Sequence, residues 1–180
     1  MIVGGVGRWI PVVVVSVLVI PVGFGLIKAL ERVRLRRGVE PRIARRNSLA
    51  EVGMVGCTLP WLWMILTPLP GAGAVRLVPL VDLLTVLSAD PAVAVAQIGG
   101  NLVVFAGFGV FAPIRWGIRW PAVVLVAAVA SGLVETAQYV LDLGRVSSVD
   151  DVVLNAAGAG IGALFGSVIR GTPPQSIGAT

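Results

Sequence analysis

This chain contains no histidine and one cysteine, and charged residues make up only 13% of its 180 residues. Without histidine it lacks the commonest metal ligand and general base, which excludes a histidine-bound zinc site and a Ser-His-Asp hydrolase. The single cysteine, Cys57, excludes a disulfide framework within the chain and a site built from several thiolates. Charged residues make up about 25% of an ordinary soluble domain. The chain therefore has too few of them to cover a water-facing surface.

Apolar side chains are what the sequence has in abundance, at 57% of its residues. A helix needs about 20 mostly apolar residues to cross a hydrocarbon core of about 30 Å, where the backbone finds no water. Five stretches meet or approach that length. We predict an all-α polytopic membrane protein, a bundle of about five transmembrane helices. The predicted spans are residues 9–30, 49–67, 93–114, 121–141 and 152–169.

Positive charge is concentrated beside the first predicted span. Residues 28–51 hold eight of the 14 basic residues and three of the nine acidic ones, which leaves a charge of +5, the net charge of the whole chain. By the positive-inside rule, we expect the loop at residues 31–48 to be cytoplasmic in a bacterial cell membrane, with the N-terminus outside and the C-terminus inside. The eight are Lys28, Arg32, Arg34, Arg36, Arg37, Arg42, Arg45 and Arg46.

Such a basic run can bind RNA. Next to a helix end, however, we interpret it as an orientation signal and an anchor on anionic lipid, and we expect no nucleic-acid partner. On the other side of the membrane, prolines and glycines interrupt the long connection at residues 68–91. We expect residues 75–87 to form a short amphipathic piece that lies on or dips into the outer interface, with Arg76 and Asp82 as its only charges. A re-entrant hairpin is the alternative.

Polar side chains inside the spans are costly, so each one is a candidate functional residue whose partner has to be found. Ser131, Glu135 and Gln138 are separated by four and three residues and share one stripe of the fourth helix. The connection to the fifth helix is short, which makes these two helices antiparallel neighbours. We therefore predict one polar cluster in the outer half of the membrane. Its members are Glu135, Gln138, Arg145, Asp151 and Asn155, with Asn101 near the middle of the third span.

Two interpretations of this cluster are open. In the first, Glu135, Arg145 and Asp151 are catalytic, with Glu135 as the acid/base or proton-linked group and Arg145 as the contact for an anionic head group. The ligand-binding residues are then the amides Asn101, Gln138 and Asn155. In the second, Glu135 and Arg145 form a structural ion pair and the amides join helices. Asp150 and Asp151 point about 100° apart on a helix, so we expect no metal site.

Glycines on the fifth helix form a pattern of their own. Gly158, Gly162 and Gly166 repeat at every fourth position. Small residues at this spacing let another helix approach closely where lipid provides no hydrophobic drive for association. We interpret these three glycines as helix-packing residues.

Four stretches resemble the VanZ-like family of bacterial membrane proteins. They are LVPLVDLL (77–84), NLVVFAGFG (101–109), ETAQ (135–138) and RVSSVDDVVLNAAGAGIG (145–162). The sequence departs from the family at Gly107, where a proline is usual, and at Ser148, where many members carry an acidic residue. The first departure predicts a less kinked third helix, and the second removes one candidate oxygen ligand for a metal. Characteristic family positions that match here are Asn101, Phe105, Glu135, Gln138, Arg145, Asp151 and Asn155.

The predicted spans and the resemblance, which covers residues 52–170, together divide the chain into three parts. Residues 1–51 would be an N-terminal transmembrane helix with a basic cytoplasmic loop, residues 52–170 a VanZ-like four-helix membrane domain, and residues 171–180 a disordered tail. The namesake of the family is associated with low-level resistance to the glycopeptide antibiotic teicoplanin. That association links the family to the cell envelope without identifying a substrate for this chain.

From these observations we predict that the polar cluster binds or acts on a lipid-linked or amphipathic cell-envelope component, with membrane lipids as partners and no cofactor. Whether a reaction is catalysed, and whether the chain forms oligomers, is left open by the sequence. One alternative is a structural or regulatory membrane protein with no activity of its own. Another is a small transporter, which the one-sided placement of the polar residues disfavours.

Overall fold

The computed structural model describes residues 3–71, 73–88 and 90–171. Helices dominate, and two three-residue strands form a small sheet at one end of the helix bundle. In chain order the elements are α1 (Val3–Arg36), α2 (Pro41–Leu66), β1 (Ala74–Arg76), α3 (Val81–Leu87), α4 (Pro91–Val104), α5 (Ala106–Trp116), α6 (Trp120–Val140), β2 (Val146–Ser148) and α7 (Val149–Arg170).

Four helical segments of the described chain are long and apolar enough to cross a membrane. They are Pro41–Leu66, Pro91–Trp116, Trp120–Val140 and Val149–Arg170. The prediction of an all-α polytopic membrane protein is confirmed. The first predicted span, residues 9–30, falls within α1, but the side chains of residues 3–19 lie outside the described part. A fifth span therefore stays a prediction.

Proline and glycine set several of the helix boundaries. Pro41, Pro91 and Pro121 stand in the first turn of their helices, where a missing N–H is harmless. Gly117 ends α5 in the left-handed conformation, with a φ of 72°. The basic segment 31–48, expected as a loop, is helical except for residues 37–40. The reason is that its Arg, Leu and Ala residues favour helix and Pro41 starts α2 immediately.

The third span consists of two helices, α4 and α5. The break falls at Phe105, whose backbone has a φ of −106° and a ψ of 2°. Two residues later, any side chain in place of Gly107 would collide with Cys57 of α2. The family departure at this position thus allows α5 to pack closely against α2.

α7 lies between the other helices and packs through its glycines. A β-carbon at Gly158, Gly162 or Gly166 would strike the backbone of Leu102, Ala106 or Val110 respectively. The contacted residues and the glycines follow the same order along the chain. α7 therefore runs parallel to the third span, which α4 and α5 form. Close backbone approach of this kind brings van der Waals attraction along the whole helix pair.

Basic residues gather at one end of the bundle, which we call the basic end and define by Arg34, Arg115, Arg119 and Arg170. Here Glu51 of α2 accepts hydrogen bonds from Nη2 of Arg34 and Nε of Arg115, both at 2.5 Å. One carboxylate therefore joins α1, α2 and α5. The Arg170 guanidinium lies over Gly117, which brings the end of α7 to the same place.

The opposite end, which we call the sheet end, carries β1, β2 and α3. The strands pair in parallel, with Ala74 opposite Val146 and Arg76 opposite Ser148. The prediction of a single amphipathic piece over residues 75–87 is wrong, because Val75 and Arg76 belong to β1 and only Val81–Leu87 forms the helix α3. Pairing with β2 gives the polar backbone of this apolar connection its hydrogen-bond partners.

Candidate functional site

A cavity of about 170 Å³ opens at the sheet end of the bundle. The walls come from β1, α3, α4, β2 and the first turn of α7, so residues far apart in sequence meet there. We call this space the polar cavity. Its lining residues are Arg76, Asp82, Thr85, Val86, Gln97, Val146, Ser148 and Asp151.

Arg76 and Asp82 form an ion pair on one wall of the polar cavity. Asp82 is buried, with 8% of its surface exposed, and it lies in the first turn of α3, where the helix dipole favours a negative charge. The Arg76 side chain is 49% exposed. The lining arginine is thus already paired with a carboxylate of its own chain.

Asp151 lines the cavity from the first turn of α7. Its Oδ1 accepts a hydrogen bond from the side-chain amide of Asn101 in α4. Among the described residues no basic side chain forms a salt bridge with Asp151. A half-buried carboxylate held by one neutral amide retains most of its capacity to accept hydrogen bonds from a ligand.

Glu135 of α6 lies behind the wall that β2 provides. Its Oε2 accepts a hydrogen bond from the backbone N–H of Ser148 at 3.0 Å, and its backbone carbonyl accepts one from the hydroxyl of Ser147 at 3.0 Å. Glu135 therefore holds β2 in place behind the cavity.

Asp150, adjacent in sequence to Asp151, has a structural function that the sequence did not reveal. Its two carboxylate oxygens accept hydrogen bonds from the backbone N–H groups of Leu80, at 2.6 Å, and Leu83, at 3.0 Å. Leu80 has a φ of 68°, an uncommon conformation for a leucine. Asp150 thus fixes the start of α3, and with it one wall of the polar cavity.

Arg145 and Gln138 bind the end of α2 and do not line the cavity. Arg145 donates hydrogen bonds to the carbonyls of Met64, at 2.8 Å, and Thr67, at 3.2 Å, and Gln138 donates to Ile65 O at 2.9 Å. Carbonyls at a helix C-terminus lack partners within the helix, which is why cationic and amide side chains bind there.

The ion pair between Glu135 and Arg145, one of the two interpretations left open by the sequence, is not formed within the described part of the chain. The guanidinium is turned instead to the backbone of α2. Backbone acceptors have no signature in a sequence, which is why side-chain spacing suggested the carboxylate as its partner.

Asn155 lies one turn further along α7 than Asp151 and is buried in the helix interface. Its amide donates a hydrogen bond to the hydroxyl of Ser131 in α6 at 2.8 Å, and its Oδ1 has no partner in the described chain. The bond joins α6 to α7 just below the polar cavity. Of the predicted site residues, Asp151 lines the cavity, and Asn101 and Glu135 bind the lining residues Asp151 and Ser148. Arg145 and Gln138 lie beside α2.

Four polar lining residues were not predicted as site residues. Arg76 and Asp82 were predicted only as the charges of an interfacial segment, and Thr85 and Gln97 were not predicted in any role. Asp82 lies in the stretch at residues 77–84 that resembles the VanZ-like family. That resemblance was the signal that could have identified Asp82 as a site residue. Among the described residues, no group of three Asp, Glu, Cys or His side chains is arranged to hold a metal ion.

Together these features define a class, a helical multi-pass membrane protein with a polar cavity at one end of the bundle. The chain belongs to the VanZ/LLP1 family, whose model matches residues 54–170 and hence every residue of the cavity lining. The resemblance noted in the sequence is confirmed. No curated protein and no solved structure matches the chain.

Proposed function

We propose that this VanZ-like membrane protein binds the polar head group of a lipid-linked or amphipathic cell-envelope component in its polar cavity. The observation that carries the proposal is the cavity itself, a space of about 170 Å³ at the end of the spans with charged, amide and hydroxyl groups on its walls. Polar side chains in membrane-spanning helices are costly, so their presence there points to a functional site.

The surroundings of the cavity favour an amphiphile over a fully water-soluble ligand. α3 and α4, which form two of its walls, turn large apolar side chains outward, among them Leu84 at 62%, Leu87 at 58% and Val95 at 73% exposure. These side chains suit contact with lipid chains. A head group in the cavity would therefore place its own hydrocarbon chain against an apolar surface.

The charge distribution supports access from the extracytoplasmic side of the cell membrane. Six exposed arginines lie between residues 32 and 46, at or near the basic end, and the positive-inside rule assigns that end to the cytoplasm. The sheet end then faces outward, where envelope precursors and envelope-active amphiphiles are found. The six are Arg32, Arg36, Arg37, Arg42, Arg45 and Arg46.

The test is to identify the lipids that remain bound when the full chain is extracted in native membrane discs. Mass spectrometry should show a polar envelope amphiphile enriched over the bulk membrane with the wild-type chain, and the enrichment should disappear with Asp151→Asn. Asp142→Asn is the matched control, because Asp142 is exposed at the same end and its φ of 48° suits asparagine. Identical lipid profiles for all three chains would refute the proposal.

A further inference from the structure

We infer that the head group accepted by the polar cavity carries a positively charged amine. This inference rests on the proposed function, because it names the chemistry of the ligand in the same cavity. It replaces the expectation of an anionic head group bound by Arg145, whose guanidinium binds backbone carbonyls of α2.

The cavity lining has more negative than positive charge. Two carboxylates, Asp82 and Asp151, face one arginine, Arg76. Because Arg76 is paired with Asp82, its charge is already balanced within the wall. Asp151 remains as a carboxylate whose observed partner, Asn101, is neutral.

Asp150, which lies behind the lining, adds to this excess. Its carboxylate oxygens accept two backbone hydrogen bonds from the start of α3, so this negative charge is held by neutral donors. An anionic head group would meet these charges without an unpaired arginine or lysine on the lining. A cationic head group would balance Asp151 where water is scarce and the charge interaction is strong.

An amine suits the hydrogen-bonding groups of the lining better than a metal ion does. An ammonium group has three N–H donors and no acceptor. The lining offers the carboxylate of Asp151, the amide oxygen of Gln97 and the hydroxyl of Thr85, which donates its own proton to the carbonyl of Val81. A hard metal ion needs several converging oxygens, and the described part of the chain holds no such group of side chains.

The experiment measures binding of defined ligands to the full chain in detergent micelles by native mass spectrometry. The lipids are phosphatidylethanolamine, its N-acetylated form and phosphatidylglycerol, and the soluble probe is glycerophosphoethanolamine. We expect phosphatidylethanolamine to bind about tenfold more tightly than the two lipids without an amine charge, which corresponds to about 1.4 kcal/mol. Asp151→Asn should abolish this preference and Asp142→Asn should preserve it.

A second variant keeps the inference testable should Asp151→Asn fail to fold. Arg76→Gln removes the arginine from the lining and leaves Asp82 without its pair, so amine binding should strengthen. A cavity built for an anionic head group would instead lose its ligand. Weaker binding of phosphatidylethanolamine to Arg76→Gln would overturn the inference.

The ligands separate failure of the inference from failure of the proposed function. Equal binding of phosphatidylglycerol and phosphatidylethanolamine, lost in both cases with Asp151→Asn, would overturn the amine and leave the head-group site standing. If glycerophosphoethanolamine binds as tightly as the intact lipid, the result would support an amine as the ligand group. It would contradict the proposal that the ligand is an amphiphile. Ligand binding that no cavity variant changes would overturn both.

Discussion

The side-chain amide of Asn101 in α4 donates a hydrogen bond to the carboxylate of Asp151 in the first turn of α7. Fifty residues separate the two in sequence, and the bond joins α4 to α7 at a residue that lines the polar cavity. We expect Asn101→Leu to lower the free energy of unfolding by about 1–3 kcal/mol, because it leaves a half-buried carboxylate without its donor. Thermal unfolding in detergent measures this loss.

The double variant Asn101→Leu with Asp151→Leu serves as the control for that experiment. Removing both partners leaves no unsatisfied charge, so part of the lost stability should return. Wild-type stability of Asn101→Leu alone would mean that the bond contributes nothing to the folded state.

Helix packing through α7 gives a second prediction. Gly158→Ala places a methyl group against the Leu102 carbonyl, and overpacking of this kind costs about 1–3 kcal/mol. Gly132→Ala in α6 is the matched control, because nothing lies within 4 Å of a β-carbon there. The control should keep or gain stability, and a loss as large as that of Gly158→Ala would contradict the packing account.

Replacing Arg145 distinguishes a role in stability from a role in ligand binding. Arg145→Met removes hydrogen bonds to the carbonyls of Met64 and Thr67, so the free energy of unfolding should fall by about 1–2 kcal/mol. The amount of amphiphile retained per folded molecule should stay at the wild-type level. If the variant loses more bound amphiphile than its loss of folded protein explains, Arg145 would belong to the ligand site, as the sequence first suggested.

Orientation in the membrane can be measured with single cysteines in a Cys57→Ala background. Ser88 lies at the sheet end and Arg37 in the turn between α1 and α2, and both are exposed. A thiol reagent that cannot cross the membrane should label Ser88→Cys in intact cells and label Arg37→Cys only after permeabilisation. The reverse pattern would place the polar cavity on the cytoplasmic side.

The spans were predictable because a segment that crosses lipid must be apolar along most of its length. A run of about 20 apolar residues is rare outside membrane-spanning helices, and four of the five predicted runs correspond to candidate spans of the structure. The proximity of Glu135 and Asp151 followed from helical spacing together with the short connection between α6 and α7. Both signals are local in sequence.

The rest of the site depends on contacts that leave no local signal. Arg145 binds carbonyls of α2, and Asp150 binds N–H groups of α3, partners that every sequence offers equally. The walls formed by Arg76 and Asp82 depend on β1 pairing with β2 some 70 residues away, and three-residue strands show no periodicity. Of the lining residues, spacing therefore found Asp151 and missed Gln97 and those that the sheet and α3 contribute.

The central claim, that the polar cavity holds an envelope amphiphile by its head group, is tested most directly by crosslinking in living cells. A photoreactive side chain in place of Val86 lies on the cavity wall, and one in place of Val168, which is 81% exposed in α7, lies far from it near the basic end. We predict that the probe at residue 86 captures a polar envelope amphiphile enriched over bulk phospholipid, whereas the probe at residue 168 captures lipids in their bulk proportions. The same lipid mixture at both positions would contradict the account.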